Sequence, residues 1–314
     1  KAVLGETGLA ATSKNGKIYG VGGQSCNYKH ESIIMIKEAL EAGIDTVITC
    51  DNGIAAAPQI HMAKDNGMTV IVTDHHEVPY EETDGKRIYL IPPADAVVDP
   101  KQEDCGYPFK QICGAVVAGK LVSVLLRSAG DLEQKAKLQE ELLVFGALAT
   151  VCDVMELRDE NRIIVKEGLR LMAGTFNLGL KALLMVNGIE NMAAASGTLT
   201  PYHAGFVIGP CMNASGRLDT AERALALFDC REWSEAVNIA GDLKSLNDNR
   251  KMMTEQGVLE AVWQVENGGM KTDKVLVIYL PDCHESIAGI IAGRIREKYG
   301  KPAFVLTKGE EGIK

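Results

Sequence analysis

The chain has no C-x-x-C pair, no uninterrupted apolar run of the roughly 18 residues that a bilayer span needs, and few aromatic residues. Each shortage removes a class of protein. Cysteines stand at 26, 50, 105, 113, 152, 211, 230 and 283, and their spacing excludes a zinc knuckle. Several lie in apolar runs, Cys50 in VITCD and Cys152 in TVCDV, which is the setting of reduced, buried thiols in a cytosolic protein. No stretch has the pattern of a signal peptide, so the expectation is a soluble cytoplasmic protein with no membrane partner. Aromatics make up 5% of the residues, and the core must therefore be packed with aliphatic side chains. A net charge of -9 excludes a broadly basic surface for nucleic acid, though it leaves a local basic groove open.

What remains is an ordinary globular balance, 46% hydrophobic and 24% charged, over 314 residues, a length that suits two folded units. Residues 1–25 are rich in Gly, Ser and Thr and show no period; with the abrupt TKGEEGIK end they read as cut or poorly ordered termini. Residues 31–42 have helical spacing and a stop at Gly43. TVITCDNGI is a β-branched strand ending at Asp51, residues 55–66 read as a helix closed by Gly67, and MTVIVTDHH is a second strand with polar residues at its end. AVVDP at 96–100 is a third candidate strand. Apolar strands alternating with helices predict an α/β fold with a parallel sheet covered on both faces. Ligands bind at the carboxyl ends of such strands, which puts Asp51 and the Asp74-His75-His76 group on one edge.

A helix starts near Cys113–Gly114, and residues 131–151 form an amphipathic helix that delivers Asp153. Short helices follow over 160–190. AGFVIGPCMNASGRL, with its Gly, Pro, Asn and Ser, reads as a functional loop or turn. From 219 to 265 the period is helical, and NGGMKTD at 267–273 is a linker. KVLVIYL, HESIAGIIAGRIREKYG and AFVLT then make a β-α-β unit.

Asp51, His75, His76 and Asp153 offer oxygen and imidazole donors suited to Mn²⁺ or Mg²⁺. A strand-end Asp is also a common helix cap, and a D-H-H triplet arises by chance, so the residues alone leave both readings open.

VITCDNGI, VIVTDHHE and ATVCDVMEL resemble, in order and spacing, the second to fourth signature motifs of the DHH-superfamily phosphoesterases. PFKQICGA, ENR and GPCMNASGRL are similar to segments of the RecJ-type branch, and LNDNR and CHESIAGIIAGRI continue the likeness into the DHH-associated domain. The resemblance implies a DHH catalytic domain over 1–225, a long connecting helix over 226–268, and the start of a smaller α/β DHH-associated domain over 269–314. It implies that Asp51 and Asp153 bridge two divalent cations, Mn²⁺ or Mg²⁺, and that His75 ligates one. Asp74 then orients His75, and His76 contacts the scissile phosphate or assists the leaving group. Asn213 and Arg217 hold substrate phosphate, and His284 touches the nucleic-acid backbone.

The family's first motif, Asp-x-Asp on the first strand, is not found, since KAVLGETGLAATSKNG contains no Asp. The last family motifs, which follow the DHH-associated segment, are missing as well. The expectation is a fragment of a larger enzyme: a metal-dependent 5′→3′ exonuclease on single-stranded DNA, active in repair and recombination, with a helicase or single-strand-binding protein as possible partner. The alternatives are a phosphoesterase of oligoribonucleotides or cyclic dinucleotides, and a non-catalytic nucleic-acid-binding scaffold.

Overall fold

The computed structural model describes residues 8–12, 18–22, 36–127, 132–189, 199–220, 222–309 and 312–314. The first five strands of the main sheet are β1 (Gly8–Thr12), β2 (Ile18–Gly22), β3 (Thr46–Cys50), β4 (Thr69–Thr73) and, later in the chain, β7 (Ala96–Val98). Their order is β2-β1-β3-β4-β7. The sheet is parallel across β3, β4 and β7, whereas β1 runs antiparallel to both β2 and β3. This hairpin corrects the reading of residues 1–25 as structureless, for GLAAT and IYGVG are strands. The small and polar residues there give no alternation to read, and the pairing with β3 comes from tertiary contact.

The buried valines of β3 and β4 meet a helical segment at 36–41 and helix α1 (Ala57–Asp65) in one aliphatic core that includes Ile36, Val47, Ile60, Val70 and Val72. Proline in the first turn of α1 loses no intrahelical bond, and the chain leaves the helix through Gly67, whose φ of +78° only glycine adopts without strain. A small hairpin, β5 (Tyr80–Thr83) with β6 (Lys86–Tyr89), stands apart from the sheet.

A second core is wholly helical. It is built by α2 (Gly114–Arg127), α3 (Leu132–Cys152), α4 (Asp159–Met172), α5 (Leu178–Val186), a π-helix (His203–Ile208), α6 (Gly209–Leu218), α7 (Glu222–Asp229) and the 35-residue α8 (Trp233–Asn267). The far end of α8 enters a third core with β8 (Leu276–Tyr279), α9 (Glu285–Tyr299) and β9 (Ala303–Leu306), where β8 and β9 pair in parallel. A short hairpin, β10 (Lys308–Gly309) and β11 (Gly312–Ile313), ends the chain.

The segment AGFVIGPCMNASGRL is helical, contrary to the loop expected from its composition. Its breakers serve close packing. A Cβ on Gly209 would lie 2.5 Å from Cys152 Sγ, and one on Gly205 would lie 3.1 Å from Val151, so both glycines let this helix press on the end of α3. The proline sits in the first turn of α6, where its missing N–H is no loss.

Helix α4 is pressed just as hard onto α3. A Cβ on Gly168 would stand 2.5 Å from the Leu143 carbonyl oxygen and overlap the Ala147 methyl. Gly168→Ala should therefore force the two helices apart and destabilise the protein by about 1–3 kcal/mol, measured as a lowered urea midpoint with unchanged helical circular dichroism.

Candidate metal centre

Three aspartates end the three parallel strands in step. Cys50 pairs with Thr73 and Thr73 with Val98, so the next residues, Asp51, Asp74 and Asp99, lie side by side on the carboxyl edge. The ladder continues through them, with the Asp51 amide donating to the Thr73 carbonyl (3.0 Å) and the Asp74 amide to that of Val98 (3.1 Å). Adjacent strands are about 4.8 Å apart, so the three carboxylates crowd one rim. Asp153 arrives from the helical unit, at the end of α3.

His75 is the meeting point. Its Nε2 lies 2.9 Å from Asp51 Oδ1 and 3.5 Å from Asp153 Oδ2. Residues 51, 75 and 153, far apart in sequence, thus converge. Asp51 Oδ1 and both ring nitrogens of His75 are buried, and none has a hydrogen bond. One ligand atom each from Asp51, His75 and His76 fall within 4.8 Å of one another. Buried donors left without hydrogen bonds are costly unless a cation meets them, so this set fits a divalent metal. The backbone is strained on both sides: Asp51 has φ +62°, and Val154, directly after Asp153, has φ +55°, a true outlier for a β-branched residue.

Asp74 does not orient His75, as the sequence led us to expect. Its Oδ1 accepts His76 Nδ1 at 2.7 Å and the amides of His75 and His76, while Oδ2 accepts the Ile54 amide at 2.9 Å. The reason is geometric: the chain turns at once after β4, and the amides of that turn and the next imidazole fold back over the carboxylate. Burial works to raise the Asp74 carboxyl, but the bonds from the His76 ring and from the Ile54 and His75 amides outweigh it and hold the group below its usual range. The same contact with Asp74 lifts His76 above the ordinary histidine value against the effect of burial. His76 keeps its other ring edge towards solvent, with the side chain 59% exposed.

Two supporting residues escaped the sequence reading. Asp99 is 2% exposed; Oδ1 accepts the Lys101 amide at 2.8 Å, and Oδ2 has no partner. Burial raises its carboxyl, and the neighbouring Asp74 raises it further. Its only sequence signal was its place at a strand end, shared with Asp51 and Asp74. Gly114, at the start of α2, presses on Asp51: a Cβ there would overlap Oδ1 and come within 2.6 Å of the Asp51 Cα. The loop before it is anchored by Asn161, whose amide donates to the Gln111 carbonyl (2.6 Å) and the Glu156 carbonyl (3.0 Å). Glu160 accepts the Tyr107 hydroxyl at 2.6 Å and is paired with Lys120. The ENR and PFKQICGA segments thus hold Gly114 against Asp51.

The remaining expected residues lie elsewhere. Asn213 and Arg217 share a face of α6, four residues apart, and Asn213 is exposed. Arg217 Nη1 donates to the Ser286 carbonyl at 2.9 Å, joining α6 to the first turn of α9. His284 caps that turn, its Nδ1 contacting the Ser286 hydroxyl at 2.7 Å and accepting the Ser286 amide. No disulfide joins the described cysteines. Burial pushes the Cys50 thiol, beside Asp51, up to about 12, which keeps it protonated. Among the described residues no helix is long and apolar enough to cross a membrane.

Gly114→Ala tests how closely the rim is built. It alters no ligand, yet it should move Asp51 and weaken Mn²⁺ binding by about tenfold or more, measured by calorimetric titration beside a thermal melt that shows the fold retained.

The family model described as "DHH family, N-terminal domain" matches residues 6–150. The chain is 35% identical over 271 residues to the single-stranded-DNA-specific exonuclease RecJ of Bacillus subtilis, covering 86% of this chain and 31% of that protein. It is 33% identical over 288 residues to its Escherichia coli counterpart, covering 88% and 48%. A crystal structure of exonuclease RecJ bound to manganese superposes with a TM-score of 0.71 at 31% identity, over 88% of this chain and 64% of that one. The Thermus thermophilus RecJ complex with Mn²⁺ gives 0.70 at 31% identity, over 88% and 38%. The chain spans about half the length, or less, of the curated relatives cited here. Residues 6–150 thus match the N-terminal domain of the DHH family, and the chain as a whole is similar to RecJ exonucleases.

Proposed function

We propose that the protein containing this chain is a metal-dependent exonuclease that removes mononucleotides from the 5′ end of single-stranded DNA. The observation that carries the reading is the convergence of Asp51, His75 and Asp153 around buried donor atoms that lack hydrogen bonds. Asp51, Asp153 and His75 are the residues that would hold the divalent cations. Bound there, divalent cations acidify a water and neutralise charge on the phosphate. His76 supplies the proton side of the reaction. Asp74 holds its Nδ1 and raises its basicity, so a proton on the solvent-facing Nε2 can be given to the leaving oxygen or hydrogen-bonded to the phosphate.

The polymer is held beyond the rim. Asn213 and Arg217 run along α6 from the end of α3 towards α9, and α6, at about 1.5 Å per residue, is about 15 Å long, enough for two or three nucleotides. Arg217 does not stand alone. Burial first, then the charges of Arg217 and Arg294, lower the pKa of Arg250, so three guanidiniums gather where α6, α8 and α9 meet. Among the described residues none of the three has a carboxylate partner, and Arg250 is steadied only by Asn247 Oδ1, at 2.9 and 3.2 Å. Cations collected without counter-ions suit a chain of phosphates, and this local patch answers the acidic charge of the whole. His284 serves the patch by fixing the first turn of α9 on which Arg217 docks. A helicase that supplies single strands, or a single-strand-binding protein, is the partner class such an activity needs.

Digestion of labelled substrates by the full-length protein with Mn²⁺ tests the reading. Single-stranded DNA should release mononucleotides from its 5′ end, duplex should resist, and Asp153→Asn should abolish turnover. Equal attack on duplex, or preference for short oligoribonucleotides, would overturn it. Arg294→Ala, on α9 and outside the candidate ligand set, should weaken single-strand binding and reduce the salt slope of that binding by about one, read by fluorescence anisotropy without divalent metal.

A further inference from the structure

We propose that Asp99 is the positioning residue of His75, holding its Nδ1–H so that Nε2 faces the metal. This rests on the metal-site reading above and assigns a role to a carboxylate that reading leaves idle. A metal-bound imidazole needs a partner on its other nitrogen, which fixes both tautomer and ring orientation. Nε2 of His75 is turned to Asp51 and Asp153, so Nδ1 is the outer nitrogen, and it is buried without a hydrogen bond. The expected partner, Asp74, makes its bonds to other groups: Oδ1 to two amides and His76, Oδ2 to the Ile54 amide.

Asp99 is the next carboxylate along the same edge. β7 pairs in parallel with β4, Thr73 opposite Val98, so Asp99 stands beside Asp74, immediately before which β4 ends and after which His75 follows. One of its oxygens is fixed by the Lys101 amide, and the other is buried with no partner. A donor and an acceptor, each buried and each unmet, stand on neighbouring strand ends. Closing that pair satisfies both, where leaving them apart costs the desolvation of each. The three strand-end aspartates then divide the work: Asp51 to metal, Asp74 to His76, Asp99 to His75.

The test uses the full-length protein, Asp99→Asn, Asp99→Ala, and two readouts independent of turnover. Calorimetric titration with Mn²⁺ should show wild type tightest, Asp99→Asn weaker because an amide oxygen still accepts the proton, and Asp99→Ala weaker by about 10- to 100-fold. Nitrogen NMR of ¹⁵N-histidine-labelled apo protein, with His75 assigned by its loss in His75→Gln, should show the Nδ1-protonated tautomer in wild type and Asp99→Asn, and a tautomer mixture in Asp99→Ala. Unchanged Mn²⁺ affinity together with an unchanged His75 spectrum in Asp99→Ala overturns the assignment. Thermal melts identify any variant that fails to fold, and Asp99→Asn, of nearly the same shape, carries the comparison in that event. Failure of the wild type to bind Mn²⁺ would instead strike the metal-site reading itself.

Discussion

Carboxylates and imidazoles crowded at the end of a parallel sheet repel or go unsatisfied unless a cation joins them, and the rest of the molecule is arranged around that constraint. Parallel pairing without a register slip carries Asp51, Asp74 and Asp99 to the same level on β3, β4 and β7. An apolar body below them, centred on Val47, Val70 and Val72, leaves the strands no freedom to relieve the crowding by shifting. The polar ends are thus held at close quarters by the hydrophobic middle.

The rim is closed from the helical side. Asp153 comes at the end of a long helix whose length and packing set its reach, and α4, the π-helix and the start of α6 press on α3 through close contacts at Gly168, Gly205 and Gly209. Gly114 brings α2 against Asp51 in the same way, and Asn161 pins the loop before it. Residues that touch neither metal nor substrate therefore decide whether Asp51 and Asp153 face one another. The strained torsions at Asp51 and Val154 mark where the two units are forced into that meeting.

A charge gradient is laid over this frame. The rim is acidic and calls for cations; the joint between α6, α8 and α9 gathers Arg217, Arg250 and Arg294 and calls for anions. On the function proposed above, a nucleic-acid strand would answer both at once, with its terminal phosphodiester at the rim and its following phosphates on the guanidiniums. The long α8 joins the helical core to the third core, packing on α6 and on α9 and β8.

By itself the sequence determined the strands and helices whose period is strong, the strand-end placement of Asp51 and the Asp74-His75-His76 group, and a family resemblance through its spaced motifs. These are local or linear properties, carried by β-branched runs, glycine stops and the order of short words. Tertiary structure alone decided that Asp74 bonds His76, that Asp99 is buried beside it with one oxygen unmet, and that Arg250 and Arg294 join Arg217. Hydrogen-bond partners across strands and charges across helices have no fixed sequence separation, so no periodicity records them. The GPCMNASGRL helix shows the same limit from the other side. Its glycines and proline look like turn residues in isolation, and only the neighbouring end of α3 reveals that they were needed for close approach.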